Sequence, residues 1–429
     1  MLDIKFIREN PDLVRAALKN KNRKPVDLDA LLSLYDERTA LRARRDELNR
    51  ARNAAADARD IEKGKQVKEE LPAVEEKLKV AESALRALLV QIPNIPSPDT
   101  PVGPNESGNQ VLRHVGEKPS FSFTPKAHWD IGVALDIIDN ERAAKVSGAR
   151  FTYIKGDLAL LQFALIQFVM GMLSDTEKVA AIKEAFGVNV SAKQFIPIVP
   201  PVMVRPEILQ GMGRLDPQED KYHLEKDDLY LVGSAEHSVG PMHMDETFDE
   251  ENLPLRYVGY STAFRREAGS YGKDTKGILR MHQFDKIEME TFCLPEQSLE
   301  EQNLLVAVQE HIMQSLGLPY QVVIVCTGDM GFPDQRQIDL ETWMPGQDTY
   351  RETHSADLIG SFQPRRLNIR VRRKDGKVEY AHMNDATALA MGRTLIAILE
   401  NYQEADGSVR IPKVLQSYMG GRERIKKEL

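Results

Sequence analysis

The residues best suited to carry chemistry lie on two predicted β-strands joined by a glycine-rich segment. Residues 255–267 and 280–293 have the composition of strands, and three glycines lie in the segment between them. Side chains alternate between the two faces of a strand. One face of the second strand therefore carries a mixture of cations, rings and a carboxylate: Arg280, His282, Phe284, Lys286 and Glu288.

The first of these strands ends with a second cation and carboxylate on one face, Arg265 and Glu267. If the strands pair, these groups form one surface that suits a nucleotide. Arginine binds phosphate, an aromatic ring stacks on a base, and a carboxylate accepts a hydrogen bond from an amino group. An exposed, charged sheet edge has the same pattern, so spacing alone leaves both interpretations open.

A predicted helix over residues 387–402 adds Arg393 and Glu400, which are seven residues apart and share one helical face. Such pairs are commonly solvated, so this pair alone is weak evidence for a site. The chain contains neither a Walker A motif nor a dinucleotide-binding fingerprint. A nucleotide would therefore bind on another architecture.

The elements that would position these residues indicate an α+β fold with a mainly antiparallel sheet. Residues 367–372 and 378–383 flank a Lys-Asp-Gly-Lys segment that is typical of a hairpin turn. Hairpin-paired strands followed by helices do not predict a parallel, doubly wound sheet. The apolar segment 158–173 is shorter than a bilayer span and contains two glutamines, so we predict a buried helix there.

The first quarter of the chain has a different, helical character. Residues 1–25 predict one short helix, with Pro11 as a first-turn signal. Residues 27–92 carry leucines at seven-residue spacing on two segments, which predicts an antiparallel coiled-coil hairpin with its turn near residues 54–64. Pro72 should kink the second helix or delay its start. A proline-rich linker follows over residues 93–104.

The predicted hairpin tip, residues 42–68, is more basic than the rest of the chain. Nine basic and five acidic residues give it a net charge of +4, whereas the whole chain has a formal charge of −8. A solvated coiled-coil surface and a phosphate-contacting arm both fit this charge. The candidate contacts with nucleic acid are Arg42, Arg45, Arg50, Arg52, Arg59, Lys63 and Lys65.

Composition excludes several classes of protein. The 429 residues suffice for two domains, with 28% charged and 42% hydrophobic residues. The two cysteines, Cys293 and Cys326, have no metal-ligand spacing and no disulfide pattern, so we expect inert, half-buried thiols and a reducing cytoplasm. The N-terminus has no basic and apolar segments typical of a signal peptide, and we expect no membrane association.

Three segments resemble the motifs of class II aminoacyl-tRNA synthetases in the form found in bacterial seryl-tRNA synthetases. Residues 264–286 resemble motif 2, from Phe264-Arg265-Arg266-Glu267-Ala268-Gly269 through Gly272-Lys273-Asp274-Thr275 to His282-Gln283-Phe284-Asp285-Lys286. Residues 199–202 resemble motif 1, and residues 392–403 resemble motif 3. The resemblance covers essentially the whole chain. It implies a helical tRNA-binding domain over residues 1–110 and a catalytic domain over residues 111–429.

The resemblance implies a role for each matching residue. Arg265 would bind the α-phosphate and the amino-acid carboxylate, Glu267 the adenine amino group, and Arg393 the γ-phosphate, with Phe284 stacked on the base. The implied ATP site is completed by Arg266, Met281, Glu352, Thr353, His354 and Ser355, of which Glu352 and Ser355 would hold Mg²⁺. The implied serine site consists of Ser234, Ala235, Glu236, Arg265, Glu288 and Thr387.

Several positions depart from the family pattern. Ser234 stands where the family has threonine, Asp385 where it has asparagine, and His354 where it has the first serine of a pair. Residues 356–359 replace a Cys-Ser-Asn-Cys segment, and the segment 175–195 is longer than usual. These differences bear on the magnesium and serine contacts.

The implied activity is ATP-dependent formation of seryl-adenylate and transfer of serine to the 3′ end of serine tRNA by a homodimer. Charging of selenocysteine tRNA is left open. One alternative is an amino acid:carrier-protein ligase on the same core, although relatives of that kind lack the arm. The other is an inactive coiled-coil tRNA-binding protein, which the intact Arg265 and Arg393 disfavour.

Overall fold

The computed structural model describes residues 1–268 and 276–427, which form two compact units, Met1–Ile95 and Pro96–Leu429. Residues that follow Pro96 bond within the larger unit. The Ser97 amide donates to the Gln335 carbonyl at 2.7 Å, and the Cys326 amide donates to the Asn109 side chain at 2.9 Å.

The smaller unit consists of four helices. Two short helices replace the single one expected over residues 1–25, because Pro11 lacks an N–H and occupies the first turn of a new helix. Asp27 and Asp60 cap the two long helices, accepting from the amides of Ala30 and Lys63. The four helices are α1 (Ile4–Glu9), α2 (Pro11–Asn20), α3 (Leu28–Asp57) and α4 (Ile61–Leu89).

Helices α3 and α4 form the expected antiparallel hairpin, with its turn at residues 58–60. The heptad residues Leu48, Leu71 and Leu78 are buried in the seam between them. The prediction that Pro72 delays the second helix is wrong, since α4 begins at Ile61 and continues through the proline. Packing of the neighbouring leucines along the seam offsets the hydrogen bond that proline cannot make.

The larger unit combines ten helices and eighteen strands within the described residues. The helices are α5 (His128–Ala134), α6 (Asn140–Ser147), α7 (Gly156–Leu173), α8 (Thr176–Ala185), α9 (Pro206–Met212), α10 (Glu236–Val239), α11 (Ser298–Ser315), α12 (Phe362–Leu367), α13 (Met391–Asn401) and α14 (Lys413–Gln416). The strands are β1 (Gln110–Val115), β2 (Ile138–Asp139), β3 (Tyr153–Ile154), β4 (Ile196–Ile198), β5 (Met203–Val204), β6 (His223–Leu224), β7 (Leu229–Leu231), β8 (Thr247–Asp249), β9 (Leu255–Phe264), β10 (Gln283–Cys293), β11 (Tyr320–Ile324), β12 (Arg336–Met344), β13 (Thr349–Gly360), β14 (Arg370–Arg372), β15 (Val378–Tyr380), β16 (His382–Ala390), β17 (Val409–Arg410) and β18 (Arg424–Ile425).

Eight of these strands form the main sheet, in the order β1-β11-β12-β13-β16-β10-β9-β4. Only the edge pair β4–β9 of this sheet is parallel, so the predicted, mainly antiparallel sheet is confirmed. Helices α7, α11 and α13 contribute buried residues to the large apolar core that includes the sheet. The buried amide of Gln309 on α11 donates to the carbonyls of Ser355 and Thr387, which ties β13 to β16.

Some predicted boundaries differ from the structure. Strand β9 ends at Phe264 and β10 begins at Gln283, so Arg265 and Glu267 follow the first strand and Arg280 precedes the second. Thr387 lies in β16, and the helix predicted from that residue begins only at Met391. The hairpin around residues 373–377 is present as β14 and β15.

Helix α7 is long and apolar enough to cross a membrane by length and composition alone. Its buried residues belong to the large core, as predicted for the segment 158–173. Leu160 and Phe163 on the same helix remain exposed, at 43% and 56% of their surface. Both cysteines are free and fully buried, more so than the sequence suggested.

Candidate functional site

Arg265 lies at the junction of two parts of the candidate site. Its backbone continues β9 past the last paired residue, and its amide donates to the His282 carbonyl at 3.0 Å. The guanidinium carbon is 5.4 Å from the centroid of the Phe284 ring, within cation–π range. On its other side, Nε donates to the Gly233 carbonyl at 3.1 Å, next to Ser234.

A cavity of about 450 Å³ adjoins Phe284. Its lining includes Met281 and, from the start of α13, Met391 and Gly392. Most of the remaining lining comes from α6, α7 and the segment between them. The cavity therefore adjoins Met281 and Phe284, two of the predicted ATP contacts, but its described lining does not include Arg265, Glu267 or Arg393.

The predicted motif-2 loop is described only in part. Residues 269–275, which include Gly269, Gly272 and the segment Lys273–Thr275, lie outside the described residues. Glu267 has a left-handed backbone with φ of +52°, and its carboxylate pairs with Arg280 at 2.9 Å. Arg266 is exposed and stacks on Tyr222, with its guanidinium carbon 4.7 Å from the ring centroid.

A second group of predicted residues surrounds Glu288, which is 3% exposed. The Ser234 hydroxyl donates to Glu288 Oε1 at 2.6 Å, and the Lys286 ammonium contacts the same oxygen. Thr387 lies directly opposite Glu288 in the pairing of β10 with β16. Burial, reinforced by Arg265, lowers the pKa of Lys286 to about 8.

Ala235 and Glu236 complete the predicted serine loop. Ala235 is fully buried, and Glu236 pairs with Arg214, whose Nε lies 2.8 Å from its carboxylate. Burial alone would raise the pKa of Glu236, but the charge of Arg214 and a contact with His237 lower it below its usual range. Glu236 therefore stays ionised despite its burial.

The remaining predicted ATP contacts are on β13 and α13. Arg393 pairs with the half-exposed Glu352 at 3.0 Å and also donates to its carbonyl at 2.8 Å. The Ser355 hydroxyl donates to Asp357 at 3.2 Å. Thr353 and His354 are each only 1% exposed and bond to each other at 2.9 Å, so they support the strand from within.

Sequence reasoning did not include Lys286 or Arg214 among the site residues. The sequence placed Lys286 on one strand face with Phe284 and Glu288, but the resemblance implied no role for it. Arg214 follows α9 and is far in sequence from every partner it contacts, so no local pattern points to it. Glu400 is wholly buried and accepts from the amides of His128 and Gly346, which gives it a structural role.

The predicted nucleic-acid contacts all lie on α3, α4 and the turn between them. Arg42 pairs with Glu82 at 3.3 Å and Arg45 with Asp46 at 2.7 Å, so both have intramolecular partners. The other five are exposed at the surface of the arm: Arg50, Arg52, Arg59, Lys63 and Lys65.

The antiparallel sheet, with an arginine between an aromatic ring and a polar pocket, defines the catalytic core of a class II aminoacyl-tRNA synthetase. Residues 221–402 match the model of the class II tRNA synthetase core domain shared by the G, H, P, S and T enzymes. Residues 1–96 match the model of the seryl-tRNA synthetase N-terminal domain. The chain belongs to the seryl-tRNA synthetase family.

Similarity extends over the full length of the relatives. The chain is 42% identical to a serine–tRNA ligase from Geotalea uraniireducens, covering 99% of this chain and 100% of the relative. It is 41% identical to one from Symbiobacterium thermophilum, covering 97% and 98%. The seryl-tRNA synthetase from Pyrococcus horikoshii, solved with ATP, superimposes with a TM-score of 0.87 at 36% identity, covering both chains entirely.

Proposed function

We propose that this chain activates L-serine with ATP and transfers it to the 3′ end of serine tRNA, with Arg265 joining the two substrate sites. Arg265 carries the proposal, because it contacts the Phe284 ring on one side and the Gly233 carbonyl of the serine loop on the other. An ATP α-phosphate and a serine carboxylate meet at such a junction. Within the described residues, the hydrogen bonds of this guanidinium involve only Nε, so its terminal nitrogens face the reacting groups.

The reaction needs no covalent bond to the protein. The serine carboxylate attacks the α-phosphorus in line, and pyrophosphate leaves. Arg265 stabilises the charge that develops on the phosphoryl oxygens. A terminal ribose hydroxyl of the tRNA then attacks the carbonyl of the adenylate, and AMP leaves. Positioning of the two reactants supplies most of the acceleration.

ATP fits the residues around Phe284. The base stacks on Phe284 near Met281, Glu267 reaches its amino group, and Arg393 binds the γ-phosphate. Mg²⁺ is commonly held by one or two carboxylates together with substrate phosphates. Glu352 is half exposed beside Arg393 and Ser355 is near it in β13, so these two residues suit the ion, which supplies charge neutralisation on the phosphates.

Serine is selected by groups that satisfy its hydroxyl. Glu288 and Thr387, opposite each other on neighbouring strands, bond to the hydroxyl, and Glu236 and Ser234 complete the pocket. Alanine cannot make these hydrogen bonds to the buried groups, which is costly. Threonine adds only a methyl group, which must be excluded by shape.

The arm and an exposed sheet edge supply the macromolecular contacts. The basic tip of α3 and α4 binds serine tRNA through phosphates and shape, and this use of the arm argues against a carrier-protein ligase. Exposed apolar residues on α7 and in or after the edge strand β4 support a homodimer: Leu160, Phe163, Ile196, Val199 and Met203. The two free, buried thiols favour a reducing cytoplasm.

The test is transfer of labelled serine to total bacterial tRNA by the purified chain with ATP and magnesium. Charging confined to serine-type tRNAs is the expected result. Serine-dependent ATP–pyrophosphate exchange without charging would instead indicate another acceptor, such as a carrier protein. Absence of both charging and exchange would refute the proposed activity and favour a binding protein without catalytic activity.

A further inference from the structure

Beneath the candidate serine pocket, one arginine is surrounded by carboxylates from four separate segments. The Arg214 guanidinium lies 2.8 Å from Glu236 and 3.5 to 3.7 Å from three aspartates. Only 19% of the Arg214 side chain is exposed, and its partners are buried further. The three aspartates are Asp334, Asp357 and Asp385.

A row of carboxyl groups crosses the sheet at this point. Glu290, Asp385 and Asp357 lie directly opposite one another on β10, β16 and β13. Directly opposed residues point to the same side of a sheet. Glu290 is 1% exposed, and among the described residues neither of its carboxyl oxygens has a hydrogen-bond partner; the same holds for Oδ2 of Asp385.

The charges in this cluster do not balance. Four carboxyls lie around one guanidinium, and a fifth, that of Glu290, is opposite Asp385 in the sheet. Burying that excess of negative charge would cost far more than the fold can tolerate. Burial, together with Asp385, raises the pKa of Glu290 well above its usual range. Burial and the nearby Glu236 raise the pKa of Asp385 to about 8. Glu236, whose pKa is lowered, is the partner whose charge Arg214 preserves.

We propose that Arg214 is a positioning residue for the amino-acid pocket, which it organises by holding Glu236 of the serine loop against the strand that carries Asp385 and Thr387. The serine loop also contains Ser234, which bonds to Glu288. Asp385 precedes Thr387 by two residues on the same strand face, so one guanidinium fixes both walls of the pocket. The inference rests on the proposed function, since it assigns a role within that pocket.

A lysine could not perform this task equally well. Glu236 contacts Nε of Arg214 and the three aspartates contact one terminal nitrogen, so the pairing uses two separate positions of the guanidinium. The planar guanidinium carries five donors in a fixed fork. An ammonium group is a point charge with three donors on a flexible stem. We therefore expect Arg214→Lys to keep the fold and the charge but to weaken the ion pair that positions Glu236.

The experiment measures serine-dependent ATP–pyrophosphate exchange with each substrate varied in turn. For Arg214→Lys we expect the KM for serine to rise at least about tenfold, because the ion pair that holds Glu236 is weakened. The KM for ATP and the thermal unfolding midpoint should stay near wild type. For Arg214→Met the rise should be larger, because the cation that holds Glu236 is then absent.

Arg373→Met is the matched control. Its side chain is also 19% exposed and pairs with several carboxylates, but it follows strand β14, away from the pocket. The control should leave both KM values unchanged. Equal changes in the two KM values for Arg214→Lys, or no change in that for serine, would overturn the inference. Absence of exchange in the wild-type chain would instead refute the proposed function.

Discussion

The hydrogen bond from Ser234 to Glu288 offers a quantitative test of the serine pocket. Both side chains are buried, at 1% and 3% exposure, and the donor and acceptor oxygens are 2.6 Å apart. A hydrogen bond to a charged group contributes about 1.5–3 kcal/mol. The change Ser234→Ala removes the donor and leaves a small gap that water cannot fill without a rearrangement of the loop.

If that bond holds the carboxylate in the orientation that binds serine, its loss appears in kcat/KM for serine. Since about 1.4 kcal/mol corresponds to a factor of ten, we expect a fall of roughly 10- to 150-fold. The KM for ATP should change little, because the Phe284 cavity does not involve Ser234. The change Ser234→Thr keeps the hydroxyl and restores the residue usual in the family, so kcat/KM for serine should stay near the wild-type value.

The assay is ATP–pyrophosphate exchange at varied serine, with thermal unfolding measured for each variant. A kcat/KM for serine within twofold of wild type in Ser234→Ala would refute the reasoning, because the bond would then contribute nothing to serine binding. A parallel loss for Ser234→Thr would show that the loop tolerates no change of shape, and the hydroxyl would not be the cause.

Three further outcomes are expected. Arg265→Ala should abolish exchange while the unfolding midpoint is kept, and near-normal exchange would contradict its role between the substrates. Changing Arg52, Lys63 and Lys65 together to glutamine should spare exchange but reduce charging. The slope of the logarithm of the tRNA binding constant against the logarithm of the salt concentration should become shallower by roughly one for each phosphate that the arm no longer neutralises. Unchanged charging would show that the tip of the arm does not bind tRNA. Burial lowers the pKa of His382 to about 4, so the unfolded chain takes up the proton first and the stability from this residue declines as pH falls below 6.5. The free-energy difference from His382→Gln should therefore shrink by about 2 kcal/mol between pH 7.5 and pH 5 in denaturant titrations, and a constant difference would contradict the lowered pKa.

Periodicity was sufficient to predict the arm and the type of sheet. The heptad leucines predicted α3 and α4, since apolar residues at seven-residue spacing form a stripe along a long helix that packs against a second helix. The segment beginning at Thr387 misled the prediction, because its alanines and leucine favour a helix locally. The sheet overrides that preference by burying β16 between β13 and β10.

The arrangement around Arg214 could not be predicted for a different reason. Its partners come from the serine loop, the segment before β12, and strands β13 and β16, which meet only in the folded chain. From the sequence, Asp385 was one of several departures from the family pattern, with no partner indicated. In the structure it is one of several buried acids that share a single cation, so the departure has a local partner that spacing does not reveal.

The amide of Gln309 has a mechanical consequence. One nitrogen on α11 donates to the Ser355 carbonyl at 2.7 Å and to the Thr387 carbonyl at 2.9 Å. It therefore clamps the strand proposed to hold the metal to the strand proposed to hold the amino acid. Because β13 and β16 are also neighbours in the sheet, this bond adds a second link between the two half-sites. Their spacing is therefore set by the fold before either substrate binds.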